Sequence, residues 1–253
     1  MTGLQRRDER PGELERRGTL IRAQRRGRAE DKETMPGEID NQSVAKAYAR
    51  WAPIYDLVFG KVFDPGRKAS IAAAERIGGR ILDVGIGTGI SLTDYAPTNR
   101  IVGVDYSEAM LRKAQERVRE HTLAHVEALA VMDAQHLGFP DGAFDVVVAQ
   151  YVITAVPNPE ATLDEFARVT KPGGEIILIN HLGAEAGLRR IFEQGFAPIA
   201  RRLGWRPEFG WDRLARWAER HGGVRVVERR PMPPLGHFSL IRFARVGARA
   251  AGV

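Results

Sequence analysis

The sequence of 253 residues predicts an α/β fold in which a mostly parallel sheet carries helices on both faces. Two observations lead to this prediction. Apolar segments with strand character alternate with segments of helical character through the middle of the chain. The first of these strands runs directly into a glycine-rich turn, and acidic residues lie at the ends of this strand and of the next two. The length suits one generous domain.

The elements follow one another in a regular order from residue 67 onwards. Strands are predicted over Arg80–Val84, Arg100–Asp105, Val126–Met132, Phe144–Ala149 and Glu175–Asn180. Helices are predicted over Arg67–Ile77, Ile90–Tyr95, Ser107–His121 and Pro159–Val169. Beyond His181 the pattern predicts helices over Glu185–Leu203 and Trp211–His221, then strands over Val224–Arg229 and His237–Val246. The two closing strands complete a seven-stranded sheet.

The glycine-rich turn follows the strand Arg80–Val84 and has glycines at positions 85, 87 and 89. A strand that turns into a helix on Gly-x-Gly-x-Gly leaves backbone N–H groups uncovered, so a ligand can lie against the main chain. Dinucleotide-binding turns space their glycines differently. The carboxylate of Asp83, two residues before the first glycine, would repel a diphosphate and suits a ligand that carries an amino group or a sulfonium.

Two further acids complete a pattern typical of a site for an adenosyl ligand. Asp105 ends the next strand about twenty residues later, at the distance expected for contact with ribose hydroxyls. Asp133 follows the third strand. We expect Asp83 near an amino acid moiety, Asp105 at the ribose and Asp133 at the adenine amine. An ordinary nucleotide-binding domain is the alternative, and the ordered set of glycines and acids disfavours it.

These motifs resemble those of the class I S-adenosylmethionine-dependent methyltransferases. The resemblance rests on Asp83-x-Gly85-x-Gly87-x-Gly89, Asp105, Asp133-Ala134, Phe144–Ala149, Leu163-Asp164-Glu165 and Val169–Gly174, and it runs from about Val44 to Val246. It implies a Rossmann-like fold with an antiparallel last strand, S-adenosylmethionine as co-substrate and no metal. The implied cofactor-binding residues are Asp83, Gly85, Gly87, Thr88, Gly89, Asp105, Tyr106, Asp133, Ala134 and Gln150.

Composition excludes several other classes of site. The chain has no cysteine, which rules out disulfides, thiolate zinc sites and a cysteine nucleophile. It shows neither an apolar run of about 18 residues nor an apolar leader, so we expect a cytoplasmic protein. The last 72 residues carry 14 arginines against six acidic residues, which suggests an anionic partner such as the inner face of the cell membrane. A merely solvated basic surface is the alternative.

The N-terminal residues are predicted to form two segments. Residues 1–40 are polar and arginine-rich, which predicts a disordered basic tail, with a transient helix across Leu14 to Arg26 and Met35 as a candidate start. Residues 41–66 concentrate aromatic and aliphatic side chains, which predicts an amphipathic lid over the cofactor that also contacts lipid. A helix packed on the sheet is the alternative for this lid.

The lid sequence is similar to that of bacterial phosphatidylethanolamine N-methyltransferases of the Rhodobacter type, in Tyr48-x-Arg50-Trp51-Ala52-Pro53-x-Tyr55-Asp56. The resemblance implies that the lid aromatics help to enclose cofactor and amine. A quaternary ammonium suits an aromatic cage, for which the candidates are Tyr48, Trp51, Tyr55 and Tyr151. The candidates for accepting the proton of the amine are Tyr48, Tyr55, Tyr151, His181 and His237, with packing or surface roles as the alternative for each.

Residues 67–181 therefore form the predicted cofactor-binding core, residues 182–223 a helical cap and residues 224–253 the last strands. Arginines and aromatic residues alternate in the cap, and Arg189 or Arg190 is a candidate for the lipid phosphate. The preferred function is methylation of phosphatidylethanolamine towards phosphatidylcholine. A ubiquinone/menaquinone-type C-methyltransferase is the rival enzyme. A nucleic-acid-binding protein with a vestigial cofactor fold is a third hypothesis, which the intact motif disfavours, so no nucleic acid partner is expected.

Overall fold

The computed structural model describes residues 20–22, 63–182, 209–233 and 236–247. These residues contain one sheet of eight strands. The strands are β1 (Leu20–Arg22), β2 (Arg80–Val84), β3 (Arg100–Asp105), β4 (Val126–Val131), β5 (Phe144–Gln150), β6 (Thr170–His181), β7 (Val224–Met232) and β8 (Phe238–Arg245). Their order across the sheet is β1-β4-β3-β2-β5-β6-β8-β7.

The pairing confirms the predicted α/β architecture. Strands β1 to β6 are joined by parallel pairs, and β8 is antiparallel to both of its neighbours, β6 and β7. The predicted antiparallel last strand is therefore present. The order reverses at β2 and β5, and ligands of open α/β sheets bind outside the carboxyl ends of the strands at such a point.

Strand β1 is an eighth strand beside the seven that the sequence predicts. Within the segment 1–40, Leu20–Arg22 forms a strand instead of the predicted disorder or transient helix, and the rest of that segment lies outside the described residues. Strand β1 pairs in parallel with Leu129–Val131 of β4. The outer edge of β4 would otherwise present unpaired N–H and C=O groups, and a short extended segment satisfies them. The pairing depends on a distant strand, which no local pattern in the segment reveals.

Helices cover both faces of the sheet. Helix α1 spans residues 63–75 of the described chain, a short 3-10 helix spans Ile90–Thr93, and α2 spans Glu108–Glu120. Helix α3 spans Pro159–Val169 and α4 spans Trp211–His221. Apolar residues of α1 and α2 pack with one face, and those of α3 and α4 pack with the other. Helices α2, α3 and α4 agree with the predicted bounds within a residue.

Four elements differ from their predicted bounds by more than a residue. Helix α1 spans residues 63–75 instead of Arg67–Ile77, and β7 ends at Met232 instead of Arg229. The predicted helix Ile90–Tyr95 is a 3-10 helix that ends at Thr93. Strand β6 begins at Thr170 instead of Glu175, and its register against β5 shifts where a turn over Lys171–Gly174 was predicted. The predicted lid lies outside the described residues except for 63–66, and the predicted cap lies outside them from 183 to 208. Among the described helices, none has the length and hydropathy to cross a membrane.

Candidate functional site

The glycine turn joins β2 to the 3-10 helix at the carboxyl edge of the sheet. All three glycines adopt positive φ, at 70° for Gly85, 57° for Gly87 and 75° for Gly89. A Cβ at Gly85 would overlap Cγ2 of Val152, and a Cβ at Gly89 would lie 2.9 Å from Cβ of Ala114. A Cβ at Gly87 would meet nothing within 4 Å. Two glycines are therefore required by packing, whereas Gly87 leaves open space in front of the main chain.

Asp105 connects this turn to the start of helix α2 through two hydrogen bonds. Its Oδ2 accepts the N–H of Gly87 at 2.8 Å, and its Oδ1 accepts the N–H of Ser107 at 2.8 Å. Burial raises the pKa of the Asp105 carboxyl, and the backbone N–H groups oppose that rise. A carboxylate has about four lone-pair positions, so Asp105 retains capacity for hydroxyl groups of a ligand.

Asp83 lies behind the turn, with an exposed fraction of 1%. Its Oδ2 accepts hydrogen bonds from Oγ of Ser91 at 2.9 Å and from the hydroxyl of Tyr95 at 3.2 Å. Burial raises the pKa of the Asp83 carboxyl to about 7, and these two hydrogen bonds lower it only in part. The Asp83 carboxyl is therefore enclosed and held by two hydroxyl groups, and its role towards a cationic ligand stays a prediction. Sequence reasoning missed Ser91 and Tyr95, although both lie in the predicted short helix.

The ends of β3 and β4 are joined at the same edge. The N–H of Met132 donates to the carbonyl of Asp105 at 3.0 Å. Oδ1 of Asp133 accepts the N–H of Gln135 at 2.9 Å, which fixes the loop after β4. Tyr106 lies beside Asp105 with 37% of its surface exposed. Ala134 and Thr88 are partly buried at this edge. The predicted cofactor-binding residues that follow strands β2, β3 and β4 thus lie at one edge of the sheet.

Gln150 ends strand β5 and Tyr151 follows it directly, and both contact helix α1. Nε2 of Gln150 donates to Oγ of Ser70 at 3.1 Å. The hydroxyl of Tyr151 donates to the carbonyl of Phe63 at 3.0 Å, and burial raises the Tyr151 pKa above its ordinary value. Tyr151 has φ of 62°, an uncommon conformation for a residue with a side chain. Such strain is typical of functional sites.

An aromatic cluster extends from Tyr151 to the ends of β6 and β8. Its members are Phe63, Tyr151, His181, His237 and Phe238, and neighbouring rings have centroids 4.3–6.3 Å apart. The rings of His181 and His237 stack at 6.2 Å with an interplanar angle of 17°. The structure thus brings two predicted proton acceptors together, although their positions are 56 residues apart in the sequence.

The remaining predicted site residues lie outside the described part of the chain. They are Tyr48, Trp51 and Tyr55 of the lid, and Arg189 and Arg190 of the cap. Their roles stay predictions. Among the residues that the structure describes, no group of three or more histidine, aspartate or glutamate side chains is arranged to hold a metal ion.

Comparisons with known proteins agree with this geometry. Residues 82–178 match the family model described as a methyltransferase domain. A phosphatidylethanolamine N-methyltransferase from Cereibacter sphaeroides is 40% identical over 203 residues, which cover 80% of this chain and 98% of that protein. A demethylmenaquinone methyltransferase from Thermus thermophilus is 35% identical over 168 residues, covering 60% of this chain and 74% of that protein.

A solved structure supports the fold. Phosphoethanolamine N-methyltransferase 2 of Haemonchus contortus, in complex with S-adenosyl-L-methionine, superposes with a TM-score of 0.58 at 19% identity. The match covers 81% of this chain and 57% of that protein. At this level of identity the likeness concerns the fold alone.

The open space at Gly87 generates a first prediction. Gly87→Ala places a methyl group where a ligand would contact the main chain, and positive φ costs either alanine about 1–2 kcal/mol. We expect the affinity for S-adenosylmethionine, measured by calorimetry, to fall about tenfold or more. Gly173→Ala is the matched control, because Gly173 has φ of 84° and open space but lies near the start of β6, at the opposite edge of the sheet. It should cost similar stability and leave affinity unchanged; equal losses of affinity would contradict this assignment.

The buried carboxyl of Asp83 generates a second prediction. Its pKa of about 7 in the folded chain exceeds the ordinary value of 3.8, so between these values the folded state holds a proton that the unfolded state has released. The free energy of unfolding therefore falls as pH rises from about 4 to 7, by at most about 4 kcal/mol from this group. Asp83→Asn removes this dependence.

Denaturant unfolding of both proteins at several pH values measures the difference. The free energy of unfolding of Asp83→Asn minus that of the unsubstituted protein should increase between pH 4 and 8. The control Asp141→Asn changes an exposed carboxyl at the opposite edge and should not show this increase. A difference that is independent of pH would show that Asp83 stays ionised throughout.

Proposed function

The chain belongs to the S-adenosylmethionine-dependent methyltransferases of the phosphatidylethanolamine N-methyltransferase type, and we propose that it methylates the amine of phosphatidylethanolamine and of its mono- and dimethyl forms, towards phosphatidylcholine. The observation that carries this proposal is the 40% identity to a phosphatidylethanolamine N-methyltransferase over 98% of that protein's length. The carboxyl edge of the sheet supplies a matching site for the methyl donor.

The residues at this edge fit S-adenosylmethionine. Asp83 and Asp105 bring two carboxyl groups near the glycine turn, and the described residues place no basic side chain in ion-pair contact with either. A sulfonium and an ammonium group supply the missing positive charge. S-adenosylmethionine, when bound, supplies an electrophilic methyl group. Gly87 would leave room for the amino acid portion, Asp105 would accept ribose hydroxyls, and Tyr106 would flank the adenine.

The protein's own contribution to chemistry is positioning and removal of a proton. The ethanolamine amine is mostly protonated at neutral pH, so it must lose a proton before its nitrogen can attack. We assign this proton to the stacked pair of His181 and His237. The hydroxyl of Tyr151 already donates to the carbonyl of Phe63, and its raised pKa keeps it protonated. Tyr151 therefore acts through its ring and its hold on α1 rather than as a base.

Aromatic rings next to the histidine pair suit the cationic product. Phe238 lies 5.4 Å from Tyr151 and 6.3 Å from His181 between ring centroids. Ring faces attract quaternary ammonium groups more strongly when the site is shielded from water. In this proposal Tyr48, Trp51 and Tyr55 of the lid complete the cage, and Arg189 or Arg190 meets the lipid phosphate.

Access to lipid is proposed through the basic C-terminal part of the chain. Exposed arginines on α4 and β7 include Arg216, Arg220, Arg225, Arg229 and Arg230. Arg229 stacks on the ring of Trp211 at 4.8 Å, so a cation and an amphipathic ring stand together. Each basic side chain near an anionic bilayer contributes about 1 kcal/mol of attraction. We infer peripheral association with the cytoplasmic face of the membrane.

The test is a vesicle assay. Purified protein with S-adenosylmethionine should convert phosphatidylethanolamine in vesicles into methylated forms detected by mass. The rate should be higher when the vesicles contain an anionic lipid, and added salt should reduce that advantage because it screens surface charge. His181→Ala and His237→Ala should each slow the reaction at saturating donor without weakening donor binding.

The same assay tests the rival activity, methylation of a quinone precursor. Demethylmenaquinone is the competing acceptor, since a methyltransferase of that substrate shares 35% identity with part of this chain. Methylation of the quinone precursor and none of the lipid would overturn the proposal. Loss of donor binding in the histidine variants would instead remove only their proposed role.

A further inference from the structure

A chain of two hydrogen bonds runs from the end of β5 into helix α1. Nε2 of Gln150 donates to Oγ of Ser70 at 3.1 Å, and the hydroxyl of Ser70 donates in turn to the backbone carbonyl of Arg67 at 2.8 Å. Ser70 has an exposed fraction of 0%, whereas Gln150 is half-buried. The chain therefore connects a predicted cofactor-binding residue with a buried serine that no sequence motif marks.

This hydrogen-bond chain decides which way the side-chain amide of Gln150 faces. A serine hydroxyl carries one proton, and here the carbonyl of Arg67 accepts that proton, so the Ser70 oxygen can only accept from Gln150. The N–H₂ end of the amide must then face Ser70, because the carbonyl end would bring two acceptors together. The amide oxygen, Oε1, is consequently directed away from helix α1.

Helix α1 is a firm support for this chain. The guanidinium of Arg67 pairs with Asp94, directly after the 3-10 helix, at 2.9 Å and with Asp64 one turn earlier in α1. Gly66 lets α1 approach the sheet closely, since a Cβ there would lie 2.6 Å from the hydroxyl of Tyr151. The first turns of α1 are thus fixed both to the segment after the glycine turn and to the end of β5.

The register of the sheet places Gln150 beside the glycine turn. Val84 of β2 pairs in parallel with Ala149 of β5, so Gln150 lies level with Gly85, the first glycine of the turn. Its contact with α1 puts the Gln150 side chain on the face of the sheet where α1 and α2 pack, which is also the face of Tyr151. An oxygen that points away from α1 at this position faces a ligand seated on the turn.

We propose that Ser70 is a positioning residue, which holds Gln150 so that its amide oxygen faces the sulfonium group of the methyl donor. This inference rests on the donor site of the proposed function and is independent of the acceptor. The negative end of an amide dipole attracts a sulfonium and its polarised methyl group. S-adenosylhomocysteine, the product, is a neutral thioether at the same atom and gains nothing from this dipole. The hydrogen-bond chain therefore favours the donor over the product.

The experiment measures the affinity of both ligands by calorimetry. Ser70→Ala removes the hydroxyl that holds the amide of Gln150. We expect the affinity for S-adenosylmethionine to fall about fivefold, in the range of one hydrogen bond, and the affinity for S-adenosylhomocysteine to stay within about twofold. Ser70→Thr keeps the hydroxyl and should keep the ratio of the two affinities, even if its added methyl group lowers the unfolding temperature.

Two further variants separate positioning from packing. Gln150→Ala should lower the affinity for S-adenosylmethionine selectively, and adding Ser70→Ala to it should cause no further selective loss, because Ser70 acts through Gln150. Thr162→Val is the matched control, since Thr162 is also fully buried in a helix and its hydroxyl donates to the carbonyl of Asn158 at 2.9 Å. Thr162 lies in α3 on the other face of the sheet, so this variant should change neither affinity.

The outcomes distinguish this inference from the proposed function. Equal losses for the two ligands in Ser70→Ala would overturn the inference and give Ser70 a structural role. Unchanged affinities would overturn it too, as would a selective loss that Ser70→Ala adds to that of Gln150→Ala. The expected selectivity in a protein that methylates no lipid would support the inference and overturn the proposed acceptor. An unsubstituted protein that binds neither ligand would overturn the donor site and the inference together.

Discussion

The site depends on the carboxylate of Asp105, which holds the glycine turn against the start of helix α2. One oxygen accepts the N–H of Gly87 and the other accepts the N–H of Ser107. Through these two hydrogen bonds, the single side chain of Asp105 fixes both the glycine turn, with its positive φ angles, and the start of helix α2. The turn can then leave its main chain uncovered without collapsing onto the strand ends. Everything that the site offers to a ligand is built on this arrangement.

The two edges of the sheet differ in their electrostatics. At the amino edge, Glu165 is paired with Arg168 at 2.7 Å, and this partner lowers the pKa of the Glu165 carboxyl. At the carboxyl edge, burial raises the pKa of Asp83 and of Asp105, and hydroxyl or backbone groups are their partners. Buried acids without a cation are costly unless a ligand brings the charge. The carboxyl edge is therefore prepared for a positively charged molecule.

The same edge also carries two other costly features. Tyr151 has a left-handed backbone, and Oδ1 of the buried Asn180 accepts no hydrogen bond from the residues that the structure describes. Both lie at the ends of adjacent strands, β5 and β6. Proteins usually keep locally unfavourable features where function requires them, and other parts of the structure compensate for the lost stability. Here the apolar layers on both faces of the sheet provide that compensation.

Local patterns in the sequence predict the elements and the acids at the strand ends, because periodicity, caps and glycine spacing act over a few residues. Helix α3 is confirmed at both of its predicted ends. Features that depend on distant contacts were not predictable: the burial of Asp83 beneath Ser91 and Tyr95, the pairing of Leu20–Arg22 with β4, and the hydrogen bond from Asn180 to Thr154. Each depends on how two separate elements align in the fold. Local patterns in one sequence do not specify that alignment.

The central claim is that Asp105 builds the cofactor site through the glycine turn, and calorimetric binding of S-adenosylmethionine to Asp105→Asn tests it most directly. Asparagine can accept one of the two backbone N–H groups but presents its own N–H₂ to the other. The account predicts that donor affinity falls at least about thirtyfold while circular dichroism still reports a folded α/β protein. Donor affinity equal to that of the unsubstituted protein would contradict the account.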